Sequence, residues 1–276
     1  IQQQVDFPDR IGRILESSWD PDGTEVERTM LLRRWAETDP ISMTSWVLEH
    51  LVGQERIQAL KQAVVVWAGK DLDAALRWVE ALPGDEGRNS ILVELGFEAA
   101  RMDPTKAVRL AAQMPESTSR DELLVHAVRQ WASVDASAAG KWAAALPESQ
   151  LRQEILSAVA VSISSEDGRY AAGLVADAMV AGKAQVDASI LVARKWGSQY
   201  PEEAAEWIAR FPDAAVRQQA LRGLVAGWSI RSSESMLAWV GTLSDSALRD
   251  EALAAIGSLP RRSLESEESF LEVPGP

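Results

Sequence analysis

Ten of the eleven tryptophans fall in five pairs, Trp35 with Trp46, Trp67 with Trp78, Trp131 with Trp142, Trp196 with Trp207 and Trp228 with Trp239, and each pair is eleven residues apart. The first members are separated by 32, 64, 65 and 32 residues. A 32-residue period with one inserted residue generates all four intervals. It places units near 35, 67, 99, 131, 163, 196 and 228, with Ala99 and Leu110, then Ile163 and Leu174, in the tryptophan slots of the third and fifth units. A fixed period of this size is the mark of supersecondary units that stack on one another. At 276 residues the chain is long for one conventional core and suits growth by addition.

The residues between the tryptophans say what each unit is. Four positions after the first slot stand Asp39, Asp71, Asp103, Asp135 and Asp167, followed by proline at Pro40 and Pro104; Tyr200-Pro201 holds the same place in the sixth unit. Aspartate at an N-cap accepts orphan backbone N–H groups, and proline in the first turn has no N–H to leave unpaired, so this dipeptide starts a helix. Ala75, Ala107, Ala139, Ala171 and Ala204 follow at offset eight, then the second tryptophan slot at eleven, Val79, Ala143 or Ile208 at twelve, and His50, Leu82, Leu146 or Phe211 at fifteen. That spacing is one apolar helical face, a helix A of roughly eleven residues. Pro83, Pro115, Pro147 and Pro212 end it.

A second stripe follows. Arg56, Arg88, Arg120, Arg152, Arg217 and Arg249 stand at offset twenty-one. Leu60, Leu92, Leu124, Leu156, Leu221 and Leu253 stand at twenty-five, and Ala63, Leu95, Ala127, Val159, Leu224 and Ile256 at twenty-eight. These positions share a face with the next tryptophan slot and define a longer helix B, joined to helix A too tightly to be other than antiparallel. Neither helix can bury its stripe alone, so successive hairpins must stack. The expected fold is all-α: a right-handed α-α superhelix, or solenoid, of about seven hairpins over residues 1–259, with 1–34 as a degenerate N-terminal capping unit. Residues 260–276, rich in serine and glutamate with Pro274 and Pro276, are expected to be a disordered tail.

The Asp-Pro helix start with a large apolar residue six positions after the proline (Pro40 to Trp46, Pro104 to Leu110) resembles the tetratricopeptide-repeat and HEAT-like helix-hairpin superfamily. The resemblance covers about residues 30–258. It departs in its period of 32 rather than 34 and in carrying His50 and helix-B leucines where that family keeps small residues. It implies protein or peptide binding on a concave face lined by helix A, and no catalytic residue.

Composition narrows the function. A net charge of −13 argues against nucleic acid, which needs an extended basic surface. Cysteine is absent, which removes disulfides and thiolate metal sites. No apolar run is long enough to span a bilayer, and no signature of a metalloprotease, serine hydrolase, phosphate-binding loop or dinucleotide fold is present. No cofactor is therefore expected. The leading reading is a non-catalytic scaffold for an unknown protein or peptide; an (α/α) toroid enzyme and an acidic mimic or inhibitor that presents its negative surface to a basic partner stand as alternatives.

Two rows of cations are candidates. Arg77, Arg109 and Lys141 occupy offset ten in three consecutive units, a positive row suited to an acidic peptide. The six arginines at offset twenty-one sit in the first turn of helix B, where the helix dipole disfavours a cation; they are expected to be structural, capping the orphaned carbonyls that end helix A. The two histidines, His50 in a core slot and His126 on helix B, are expected to be structural as well. The chain starts at Ile1 rather than Met, which leans toward an exported protein, with a cytoplasmic location left open.

Overall fold

The computed structural model describes residues 6–16, 21–84 and 86–259, and over these the protein is all-helical, with sixteen α-helices, one π turn and no strand. The expected tail, 260–276, lies outside the described residues. The chain divides into two compact bodies, Ile1–Gln130 and Trp131–Pro276. The first holds α1 (Phe7–Glu16), α2 (Pro21–Thr38), α3 (Pro40–His50), α4 (Gly53–Ala68), α5 (Leu72–Glu80), α6 (Glu86–Met102), α7 (Pro104–Gln113) and most of α8 (Thr118–Val134). The second holds α9 (Ala136–Ala145), α10 (Gln150–Ile163), α11 (Gly168–Gly173), the π turn Leu174–Ala178, α12 (Lys183–Gly197), α13 (Pro201–Ala209), α14 (Ala214–Arg231), α15 (Ser233–Thr242) and α16 (Ser246–Gly257).

The short helices begin where the aspartates stand. Asp39, Asp71, Asp103, Asp135 and Asp167 each accept a hydrogen bond from the backbone N–H three residues on, at 2.9–3.2 Å. Ser232 does the same for Ser235 N at 3.1 Å. Tyr200 offers no side-chain cap, and there Pro201 removes one of the donors that would need it.

In the first body α4 packs against α3, α5 and α6, and α6 against α7; in the second, α10, α12, α14 and α16 pack in chain order, with α9, α11, α13 and α15 against them. Ala75, Ala107, Ala139, Ala171 and Ala204 are fully buried, as are Val79, Ala143 and Ile208. Small residues at these positions let the short helices sit close to the long ones. Of the offset-twenty-five leucines all but one are buried; Leu253, on the last described helix, is 48% exposed. His50, the last residue of α3, is also on the surface, not in the core, whereas the apolar Met114 in the same slot beyond the end of α7 is buried. Its ring stacks on Trp46 instead, with centroids 4.6 Å apart.

The tryptophan pairs have one recurring geometry. Their ring centroids are 5.3–6.1 Å apart and the planes are inclined by 42–56°, an arrangement that avoids stacking like-charged π faces. Trp35, Trp67, Trp196 and Trp228 are buried, so each is a large part of the apolar area their helices remove from water. Phe7 stacks flat on Trp35 at 5.8 Å, which ties α1 to the end of α2.

One contact was not expected from the apolar pattern. Gly223 and Gly227, one turn apart on α14, lie against α12 so closely that a Cβ on either would come within 2.2 Å of a backbone oxygen, that of Ile190 or of Arg194. At these two sites α12 and α14 touch backbone to backbone.

Candidate functional site

Of the offset-ten cations, the structure brings Arg77 on α5 and Arg109 on α7 to one shallow cleft of about 290 Å³ in the first body. Both are exposed, and among the described residues neither makes an ion pair or a side-chain hydrogen bond. Lys141, exposed on α9, belongs to the second body. Asp73, Glu80 and Lys106 share the cleft with the two arginines. Lys106 Nζ lies 2.6 Å from Asp73 Oδ1 and 3.8 Å from Asp103 Oδ2, and the hydrogen bond to Asp73 raises its pKa. Asp103 is held below the usual carboxylate range, chiefly by the Thr105 hydroxyl that donates to it at 2.6 Å. Two carboxylates, Asp73 and Glu80, are thus set against three cations, and one of the three, Lys106, is paired with Asp73.

Sequence reasoning did not single out Lys106, although a signal was present. Asp73 and Lys106 occupy nearly equivalent places one period apart, and such places meet repeatedly. Lys61 with Glu94, Arg169 with Glu203 and Arg217 with Glu251 pair across 33 or 34 residues. Lys195 Nζ reaches Val161 O across the same interval, at 2.9 Å.

The offset-twenty-one arginines lie at the start of long helices and reach back to the end of the preceding short one. Arg56 Nε donates to Leu51 O at 2.6 Å, Arg88 to Val79 O and Glu80 O at 3.2 and 3.3 Å, and Arg152 Nη2 to Ala144 O at 3.2 Å. Arg217 Nη1 donates to Phe211 O at 3.0 Å, and Arg249 Nη2 to Leu243 O. Arg120 differs: its guanidinium turns to Asp121, with Nε 2.8 Å and Nη2 2.7 Å from Oδ1. That hydrogen bond is charge-assisted and stronger than one to a neutral carbonyl, although Arg249, which also precedes an aspartate, Asp250, keeps its carbonyl. Arg217 adds a fork to Glu251, Nε to Oε2 at 2.7 Å and Nη2 to Oε1 at 2.8 Å, joining α14 to α16.

In the fifth unit of the sequence period this scheme is rewritten. Gln185 replaces the arginine and its amide donates to Val175 O at 2.9 Å. Helix α11 has six residues and runs into the π turn Leu174–Ala178, after which Val180 N donates to the Gln153 side chain at 3.1 Å. Between this segment and α13 lies a groove of about 1090 Å³, lined in part by Trp196, Trp207 and Phe211. Sequence reasoning noted the missing tryptophans but not the concavity, because a groove is set by how far two backbones separate.

His126 is half-buried against Phe97, edge to face at 5.2 Å, and burial, with Arg129 adding to it, lowers its pKa. Among the described residues no cluster of His, Asp or Glu could hold a metal ion, and no helix is long and apolar enough to cross a membrane. Over the described residues, fold and side chains define an all-helical protein that carries a cleft in its first body and a groove in its second. Comparison with protein-family models, curated proteins and solved structures finds no match to the chain.

Proposed function

We propose that this protein is a non-catalytic scaffold for a protein or peptide partner, built as a right-handed α-solenoid of about seven helix hairpins on the plan of TPR-like and HEAT-like arrays. Residues 1–34 would form its capping unit. The array is supported by ion pairs that recur one period apart and by the chain-order contacts of the long helices within each body. Binding on this reading needs neither cofactor nor metal.

The observation that carries the binding reading is the pair of exposed guanidiniums of Arg77 and Arg109 flanking one cleft on a protein of net charge −13. Exposed guanidiniums on an acidic surface that make no hydrogen bond of their own can form charge-assisted, forked hydrogen bonds, and a carboxylate-bearing segment supplies the complement. The test is fluorescence anisotropy of a labelled decapeptide rich in glutamate, titrated with the wild type and with Arg77→Ala/Arg109→Ala. The reading expects binding that weakens with salt, and at least about ten-fold weaker binding by the double variant, a loss of about 1.4 kcal/mol. Equal affinity for the two proteins, at equal melting temperature, would remove it.

A further inference from the structure

We propose that the groove between the π turn and α13 is a second recognition site, which takes a partner segment carrying a bulky apolar side chain flanked by lysine or arginine. The proposal rests on the scaffold reading of the chain and concerns a different surface from the Arg77 and Arg109 cleft.

The groove lies where the sequence period fails. Leu174 stands in the slot that holds tryptophan in five other units, so less side chain fills the space. Helix α11 then widens into the π turn, and one extra residue is taken up before α12 begins. A π turn displaces the backbone that follows it and is found disproportionately at functional positions. What remains is a cavity of about 1090 Å³, room for several side chains and comparable with pockets that enclose ligands. Gln185 donates to Val175 O and Gln153 accepts from Val180 N, so side chains tie the backbone on either side of the π turn.

Its chemistry specifies the occupant. The wall on the α13 side carries the half-buried Phe211, set edge to face at 5.0 Å on the buried Trp207 behind it, an aromatic edge for an apolar side chain. The rim carries Asp177, Glu206, Asp213 and Arg210, while Arg169 and Glu203 neutralise each other at 3.0 Å. Three carboxylates against one guanidinium leave the rim negative, on a chain whose net charge is −13. An apolar side chain would enter between the aromatic wall and the alanines opposite, with cations on either side meeting Asp177 and Glu206, both exposed. Charge complementarity of this kind orients a segment and rejects its acidic counterpart.

The experiment uses three labelled decapeptides with Gly-Ser flanks and the centres Lys-Leu-Phe-Lys, Glu-Leu-Phe-Glu and Lys-Gly-Gly-Lys. Each is titrated with the full chain by fluorescence anisotropy at low and at physiological salt. The Lys-Leu-Phe-Lys peptide is expected to bind at least ten-fold more tightly than either of the others. Ala176→Trp, which fills the groove from an exposed position, and Asp177→Lys/Glu206→Lys, which reverses its rim, are each expected to weaken that binding at least ten-fold with melting unchanged. Arg77→Ala/Arg109→Ala is expected to leave it intact, so the two sites fail or stand separately. No saturable binding of the first peptide, equal affinity for all three, or undiminished binding by both groove variants would overturn the proposal.

Discussion

Replacing Gly227 by alanine tests whether α12 and α14 are in backbone contact. The new Cβ would sit 2.2 Å from the carbonyl oxygen of Arg194, 3.1 Å from its carbon and 3.3 Å from its Cα. The obstruction is backbone, which cannot swing aside as a side chain does, so α14 must retreat by roughly 1 Å to restore an ordinary contact, and overpacking of this kind costs about 1–3 kcal/mol. Alanine returns about 1 kcal/mol of helix propensity. With the clash at the upper end of its range, the net loss is about 2 kcal/mol. In a protein of this size that lowers the melting temperature by roughly 4–8 °C. The assay is thermal and urea unfolding followed by circular dichroism, with Gly241→Ala as control. A Cβ at Gly241 meets nothing within 4 Å, so that variant should melt at or slightly above the wild type. A Gly227→Ala protein that melts no lower than the wild type would show that the two backbones are farther apart than this account requires.

The same reasoning gives further expectations. Hydrogen exchange should be faster over residues 163–190, where a six-residue helix and a π turn replace a full helix A, than over 67–98; uniform protection would refute this. Glu251→Ala should cost about 1.5–3 kcal/mol, because it strips the fork from a largely buried Arg217, and Arg217→Lys should not restore the loss, since an ammonium cannot make two parallel bonds. Asp39 and Asp103 are held below their usual range by hydrogen bonds from Ser42 and Thr105, respectively. A carboxyl depressed in the folded state stabilises the protein above its unfolded pKa, about 3.9, and that stability is lost as pH falls through the lower folded value. The urea midpoint should therefore drop below about pH 4, and Asp39→Asn/Asp103→Asn should flatten the drop; an unchanged slope would refute the link.

What could be read from the residues was whatever one residue type decides locally. Asp103-Pro104 starts a helix because cap and proline act on the first turn alone, and α7 begins at Pro104. The apolar spacing placed Ala139 and Ala204 in the core, where both are fully buried. The losses came where two elements decide together. His50 sits in the slot where Met114 is buried, yet at the last residue of α3 it stays outside and stacks on Trp46. Gly223 and Gly227 stand one turn apart in the sequence, yet only the backbone of α12 lying against them makes the spacing matter. Arg120 shares its slot with five other arginines yet turns to Asp121, whereas Arg249, which also precedes an aspartate, Asp250, keeps the carbonyl of Leu243, so the sequence neighbour alone does not decide the partner. At the candidate sites, Arg77 and Arg109 could be placed on equivalent faces from their spacing. Their shared cleft with Lys106, and the groove beside the π turn, depend on how far neighbouring helices stand apart.

The claim that this chain binds a partner through its exposed offset-ten cations is tested most directly by titration calorimetry of the protein that affinity capture recovers with it from its native cells. The titration compares the wild type with Arg77→Ala/Arg109→Ala/Lys141→Ala, with thermal melting measured in parallel. The account predicts binding by the wild type, at least about ten-fold weaker binding by the triple variant, and the same melting temperature for both. Undiminished binding by a triple variant that melts like the wild type would contradict it.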